Sequence, residues 1–229
     1  MTIGDILKQL KKYASPKTLA AQEHFGIAGE NRLGISAPQM RTIAKKAGTN
    51  HPLALQLWKT KIHEARQIAA MVADPAKIDE KLMEQWLRDF NSWDLVDGCC
   101  SSLFRKTPYA YQKALEWTSR EKEYEKRAGF TMIAQLAIHD KKASDKMMEQ
   151  FFKPIIRESS DHRNFVRKAN NWALRQIGKR NERLCKKAIV VAKKIQSKND
   201  TASKWIATDA LRELEKYLRA GKIKNVGRK

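Results

Sequence analysis

The spacing of the apolar residues is the feature that most restricts the fold of this chain. Between residues 187 and 195, apolar side chains recur at positions i, i+3, i+4 and i+7, as on one face of an α-helix. The same period returns in residues 205–218 and from Phe130 to Ala137. No segment shows the sustained two-residue alternation of a β-strand, and 10 Gly and 6 Pro are too few for the turns of a β-sandwich. The sequence therefore predicts an all-α protein.

Segments that start with a basic residue and continue as an apolar helix recur along the chain. They lie at residues 63–74, 125–140, 166–178 and 203–214. With Arg127, Lys168 and Lys204 taken as equivalent points, the steps between them are 41 and 36 residues. A period near 40 residues filled by two helices is typical of a HEAT-like solenoid, in which the second helices line one concave face. We predict such a curved solenoid with a basic concave face, and an irregular helical bundle is the alternative.

The chain contains no stretch typical of a linker, which predicts a single domain over residues 1–220 followed by a basic tail, 221–229. The first twelve residues are amphipathic and include an acid, which argues against an export signal, and no window is apolar enough to cross a membrane. Three cysteines without a C-x-x-C spacing and five histidines without an H-x-x-x-H pair argue against disulfides and a metal site. We expect a cytoplasmic protein, nucleoid-associated if the source is bacterial, that needs no cofactor, metal or obligate protein partner and acts as a monomer.

Positive charge dominates the chain and concentrates in its second half. The formal net charge is +21, and residues 121–229 carry 28 Lys and Arg against 13 Asp and Glu. Residues 153–198 alone hold fourteen basic side chains and three acidic ones. Such a block on a helical frame is the electrostatic pattern of a protein that binds a polyanion, most often nucleic acid. The alternative is a solvated surface whose charge serves solubility.

The motif WDLVD, residues 93–97, has the pattern of a helix start. Asn91 or Ser92 is the predicted N-cap, and an acid at position 94 favours the first turn through the helix dipole. Trp93 and Asp97 are four residues apart and share one side of the helix. For each residue there is a structural alternative: the indole belongs to the apolar core, and Asp97 is an ordinary salt-bridge partner.

Two residues farther along the chain complete a candidate site. Arg127 opens a second helix of the proposed repeat, and Trp172 lies in the corresponding helix of the next repeat. Their structural alternatives are an ion pair of Arg127 with Glu123 and packing of Trp172 within its own helix. In a solenoid, both residues would lie on one concave strip together with Trp93 and Asp97.

These motifs resemble a known family. Residues 93–97, 126–130 and 165–181, with 25–48, are similar to the AlkD-like DNA alkylation repair proteins, which are HEAT-like-repeat DNA glycosylases. The resemblance implies hydrolysis of the N-glycosidic bond of N3- and N7-alkylated purines in double-stranded DNA without base flipping. By matching motif, it implies that Asp97 is the catalytic carboxylate, that Trp93 and Trp172 line the deoxyribose cleft, and that Arg127 contacts the DNA backbone.

The residue chemistry agrees with that implication. A carboxylate stabilises positive charge that develops on a sugar, and the negative face of an indole attracts a cationic base. Basic residues around such a site supply phosphate contacts. The predicted DNA-binding residues are Arg127, Arg163, Arg167, Lys168, Arg175, Lys179 and Arg180.

Two other functions compete with this one. Residues 20–36 form a short amino-terminal stretch without the aromatic-rich helix of longer, active members, which favours a non-catalytic binder of damaged, bent or branched DNA. The third hypothesis is a HEAT-type scaffold whose basic face binds an acidic protein.

Overall fold

The structure is a computed structural model, and it describes residues 1–27 and 29–220. These residues form α-helices joined by short loops and two 3-10 turns, Pro75–Lys77 and Phe104–Lys106, and no β-strand occurs among them. The all-α prediction is confirmed. The helices up to residue 109 are α1 (Ile3–Tyr13), α2 (Pro16–His24), α3 (Ala37–Ala47), α4 (His51–Lys59), α5 (His63–Val72), α6 (Glu80–Arg88) and α7 (Trp93–Ser102). The later helices are α8 (Ala110–Trp117), α9 (Glu123–His139), α10 (Asp145–Glu149), α11 (Phe152–Arg157), α12 (Asn164–Gly178), α13 (Glu182–Gln196) and α14 (Thr201–Arg219).

The apolar period of the sequence corresponds to the buried faces of these helices. In α13, Ala188, Ala192 and Ile195 are fully buried, whereas Val190, off that face, is 66% exposed. Prolines stand in the first turns of α2, α3 and α4, where the missing amide hydrogen removes no helical hydrogen bond. The apolar period therefore predicted both the helical structure of these segments and which face of each helix is buried.

The chain divides into two compact units, and the first ends at Tyr109. Within it, α5 is the central helix: nine of its ten residues are buried, and it packs against α3, α4 and α7. Beside it, the indole rings of Trp58 and Trp86 stack at 3.8 Å between centroids. Because α5 is buried nearly all round, the polar side chains of its first turns must find partners inside the protein.

The second unit begins at Ala110 and consists of helix pairs. Helix α8 packs on α9 and α13 on α14, while α12 contacts both α9 and α14. The second helices α9, α12 and α14 start 41 and 37 residues apart, close to the predicted period. Gly129 in α9 lets the pair α8 and α9 approach closely, because a Cβ there would lie 2.7 Å from the carbonyl carbon of Trp117.

The single domain over residues 1–220 stays a prediction, and the predicted basic tail, 221–229, lies outside the described residues. Among the helices of residues 1–27 and 29–220, none has the length and apolar character needed to span a membrane.

Candidate functional site

The first turn of α7 is anchored by a buried polar network around Asp94. Of the two predicted N-cap candidates, Asn91 and Ser92, the structure has Ser92, and its hydroxyl donates to Oδ1 of Asp94. Oδ2 of Asp94 lies 2.8 Å from Nε2 of His63 and accepts a hydrogen bond from Nε2 of Gln67 at 3.1 Å. Since His63 and Gln67 both belong to α5, the network ties the beginning of α7 to the central helix of the first unit.

The charge state of Asp94 follows from these contacts. Burial opposes its ionisation, but the hydrogen bond and the charge of His63 outweigh that effect, with help from Ser92 and Gln67. The pKa of Asp94 is therefore lowered from its ordinary value. An ionised carboxylate has no proton to give, so the ring of His63 donates through its Nε2–H.

The residue after His63 anchors a second segment. The carboxylate of Glu64, fully buried, accepts hydrogen bonds from the backbone amides of Leu33, Gly34 and Ile35 at 3.0, 2.8 and 3.3 Å. No sequence motif identified His63, Glu64 and Gln67 as a group. The signal in the sequence is four polar residues among the five of HEARQ, residues 63–67, at the start of a helix that is otherwise apolar.

Trp93, the first residue of α7, lies at the edge of the core rather than within it. Its indole is half-buried, and Nε1–H donates to the carbonyl of Phe25 at 3.2 Å. The other members of its helical stripe, Val96, Cys100 and Leu103, are fully buried. The side chain of Phe25, the residue whose carbonyl accepts this hydrogen bond, is 70% exposed. The structure therefore does not support the interpretation of Trp93 as plain core.

Asp97 lies one turn beyond Trp93 on the same helix, as the i, i+4 spacing predicts. Its carboxyl-bearing side chain is half-buried, unlike the two buried residues before it. The next residue, Gly98, faces the side-chain amide of Gln67, and any Cβ at this position would collide with that amide. The α7 start, residues 92–97, thus combines a carboxylate held by side chains of α5, that of Asp94, with a second half-buried carboxylate three residues later, that of Asp97.

Arg127, in α9 of the second unit, is only 6% exposed. Its Nη1 donates to the carbonyl of Phe165 at 2.8 Å, which joins the first turns of α9 and α12. The neighbouring Lys126 forms ion pairs with Glu158 at 2.6 Å and Asp161 at 3.4 Å. The basic pair of the KRAGF motif is therefore engaged with groups of its own unit.

Most of the predicted DNA-binding residues on and around α12 also have partners within the second unit. Arg163 pairs with Asp161, and both Arg175 and Lys179 pair with Glu213. Arg180 donates to three backbone carbonyls, those of Ala137, Asp140 and Ala143, at 2.8, 2.7 and 2.9 Å. These contacts fix the carboxyl end of α9 and connect α12 to α14.

Three other residues of α12 have different surroundings. Lys168 is exposed, and the guanidinium of Arg167 lies over the ring of Trp205 at 4.6 Å from its centroid. Trp172 is half-buried in the middle of the helix. Trp93 and Asp97 thus belong to the first unit and the other predicted site residues to the second. Their convergence on one strip stays a prediction.

The described residues contain no group of three or more His, Cys, Asp or Glu side chains that could hold a metal ion. Cys99, Cys100 and Cys185 are all buried, in keeping with small apolar packing residues.

Comparison with protein-family models shows which family the chain belongs to. The model of the family described as DNA alkylation repair enzyme matches residues 6–214, nearly the whole sequence. The chain belongs to this DNA alkylation repair family. The resemblance read from the WDLVD and KRAGF motifs is confirmed.

A solved structure confirms the fold of this family member. A structure from a family described as related to the HEAT-like repeat DNA glycosylases, with affinity for branched DNA structures, superimposes with a TM-score of 0.80. It is 20% identical in sequence, over 97% of this chain and 96% of that chain. The HEAT-like helical-repeat prediction is therefore confirmed. A designed armadillo repeat protein matches 90% of this chain and 98% of its own at 15% identity, with a TM-score of 0.39. No curated protein matches the sequence.

Proposed function

We propose that this member of the DNA alkylation repair family is a DNA glycosylase that removes N3- and N7-alkylated purines from duplex DNA. One observation carries the proposal: α7 carries Trp93 and Asp97, both half-buried, while the contact between Asp94 and His63 ties the beginning of the same helix to α5. Catalytic groups are held best when the element that bears them is locked by buried hydrogen bonds. The α7 start has that construction.

The reaction needs an ionised carboxylate that stabilises positive charge, and it does not need a general acid that protonates the leaving base. Alkylation at N3 or N7 gives the purine a positive charge, so the base leaves readily without being protonated. As the bond between C1′ and the base nitrogen breaks, its electron pair goes to the purine, which becomes neutral, and positive charge develops on the deoxyribose. The carboxylate of Asp97 would stabilise that charge electrostatically.

Water completes the reaction. Its oxygen bonds to C1′, and one of its protons is released through Asp97 to solvent, which leaves an abasic site and the free base. The indoles of Trp93 and Trp172 would contribute their negative faces to the cationic base and to the sugar. The hydrogen bond from Nε1 of Trp93 to the carbonyl of Phe25 would hold the indole in this orientation.

The predicted DNA-binding residues fall into two groups: those that can reach a phosphate and those that are held by groups of the second unit. Lys168 is exposed and Arg167 presents a stacked guanidinium, so both can reach a phosphate without breaking an ion pair. Arg163, Arg175, Lys179 and Arg180 are held by acids or carbonyls of the second unit and would contribute mainly through their positive potential. For the nearly buried Arg127, we propose that it positions the first turns of α9 and α12 beside the DNA backbone.

Release of free base is the direct test. The protein is incubated with duplex DNA that contains N7-methylguanine, and the free base is separated and quantified against a reaction without protein. Release well above the spontaneous rate supports the glycosylase. Binding to the same duplex with no release above the spontaneous rate overturns it.

A second candidate function is a binder of branched or damaged DNA without excision. The structure that superimposes with a TM-score of 0.80 favours it, because that protein belongs to a family with affinity for branched DNA structures. Tight binding to a three-way junction, weak binding to duplex and no base release would establish this function instead. Binding that falls steeply as salt rises is expected in both cases, because both depend on phosphate contacts.

A further inference from the structure

One tryptophan of the second unit is exposed among basic side chains. Trp205, in the second turn of α14, leaves 38% of its surface in contact with solvent, whereas Trp58, Trp86 and Trp117 are at most 3% exposed. Its ring is covered by the guanidinium of Arg167 from α12, 4.6 Å from the ring centroid. No sequence motif assigned a role to Trp205. An exposed indole held in a fixed place by a cation needs an explanation.

The two preceding second helices, α9 and α12, make a comparable contact in which both partners are aromatic rings of the protein. Tyr124 in α9 stacks on Phe165 in α12, with ring centroids 5.9 Å apart and an angle of 29° between the rings. Phe165 follows Tyr124 by 41 residues, and Trp205 follows Phe165 by 40. Between α9 and α12, each ring thus meets another ring of the protein. Between α12 and α14, Trp205 meets a guanidinium and remains exposed.

The helix turns beside Trp205 carry exposed lysines: Lys168 on α12 and Lys204 on α14. The acids on the same part of α14 are engaged within the second unit. Asp200 caps the helix and accepts hydrogen bonds from the Ser203 amide and the Ser160 hydroxyl, both at 2.8 Å, and Asp209, one turn after Trp205, forms ion pairs with Arg175 and Arg212. We define the Trp205 patch as Arg167, Lys168, Lys204 and Trp205.

We propose that the Trp205 patch binds an unpaired base of DNA, stacked on the Trp205 and Arg167 planes, with the flanking phosphates held by Lys168 and Lys204. This proposal depends on the proposed function only for the class of its ligand, DNA. Proteins that bind unpaired nucleotides combine aromatic rings, on which bases stack, with cations that contact the backbone. A fully paired duplex keeps its bases stacked inside, so an exposed indole would gain little from it. The patch therefore selects flipped, bulged or branch-point nucleotides.

The test compares two DNA molecules and three proteins. The affinity of the wild type, Trp205→Ala and Trp205→Phe is measured for a fully paired duplex and for the same duplex with an unpaired thymine bulge. We expect the wild type to prefer the bulged duplex, and Trp205→Ala to lose about 5- to 150-fold in affinity for it, as for removal of one stacking ring. Affinity for the paired duplex should stay within about 2-fold, and Trp205→Phe should keep part of the preference because phenylalanine still stacks.

Two further variants test the cations. Lys168→Ala and Lys204→Ala should each lower the slope of affinity against salt concentration by about 1 with the bulged duplex, because each removes one phosphate contact. Thermal melting of every variant establishes that it is folded. Equal loss on both DNA molecules in Trp205→Ala, or no preference of the wild type for the bulge, overturns the proposal.

The outcomes separate this proposal from the glycosylase. Base release by Trp205→Ala at the wild-type rate, together with loss of the bulge preference, supports both proposals. Bulge preference that depends on Trp205 without any base release leaves the patch supported and the glycosylase refuted. No binding to either DNA overturns the patch as well.

Discussion

The α7 start, residues 92–97, and the α12 start, residues 163–168, hold charge in opposite ways. At the α7 start, one acid, Asp94, is held by donors of α5 and by Ser92, while a second acid, Asp97, is half-buried one turn after Trp93. At the α12 start, Arg163 is paired with an acid, while Arg167 stacks on Trp205 and Lys168 is exposed. Each region thus uses one charged side chain to hold the start of its helix, and we assign the second to the DNA.

This comparison shows that the charge counted in a sequence is not the charge available to a ligand. Much of the excess after residue 121 is used within the second unit, where arginines and lysines join helix to helix. Buried or half-buried pairs of this kind set the geometry of the repeat, and exposed side chains such as Lys168 supply the long-range attraction. The predictions below test this division, from the largest expected effect to the smallest.

Removal of Asp94 should destabilise the protein most. Asp94→Ala leaves the buried donors of His63 and Gln67 without their acceptor, so we expect a loss of about 3 kcal/mol in the free energy of unfolding. The half-exposed Asp97 serves as the matched acid, and Asp97→Asn should change the same quantity by less than about 1 kcal/mol. Urea denaturation measures both. Equal losses in the two variants would contradict the division of roles within α7.

A pair of glycines tests how closely the helices approach in the two units. Gly129→Ala brings a Cβ against the backbone of Thr118, which cannot move away, and should cost about 2 kcal/mol. Gly98→Ala meets only the end of the Gln67 side chain, which can rotate, and should cost about 1 kcal/mol. The same denaturation experiment ranks them, and the reverse order would show that the Gln67 position is the more rigid one.

Variants of Arg180 and Lys168 compare a basic residue that stabilises the fold with one that binds DNA. Arg180→Ala removes the donors of three carbonyls at the end of α9, so we expect about 1–3 kcal/mol less stability. Lys168→Ala should leave stability within about 0.5 kcal/mol, and it should weaken duplex binding and lower the salt slope by about 1. Melting and binding titrations at several salt concentrations measure both variants. A stability loss confined to Lys168→Ala would refute the division.

The smallest effect concerns pH. Because the pKa of Asp94 is lowered in the folded protein, its stabilising contribution is present above the unfolded value, about 3.9, and is lost as the pH falls through the folded value. The difference in stability between the wild type and Asp94→Asn should therefore be constant at neutral pH and shrink below about pH 4. Other acids titrate in both proteins and cancel in this difference. A difference that grows on acidification would contradict the assignment.

The sequence predicted what depends on neighbours along the chain. An N-cap at Asn91 or Ser92, the acid in the first turn of α7 and the common side of Trp93 and Asp97 all follow from positions within one or two turns. Partners from distant segments were missed: His63 lies 31 residues before Asp94, and the carbonyls bound by Arg180 are 37 to 43 residues away. Helical period fixes which face is buried, but it does not say which polar groups meet across that face.

The central claim is that Asp97 acts on the reacting sugar, and one rate ratio tests it most directly. Base release from duplex DNA with N7-methylguanine is measured for the wild type, Asp97→Asn and Glu215→Gln. Glu215 is a half-exposed acid of α14 that serves as the control for loss of one negative charge. We predict that Asp97→Asn lowers the rate by at least about 100-fold, with unfolding stability and duplex affinity nearly unchanged, and that Glu215→Gln does not. Release by Asp97→Asn at the wild-type rate would contradict the account.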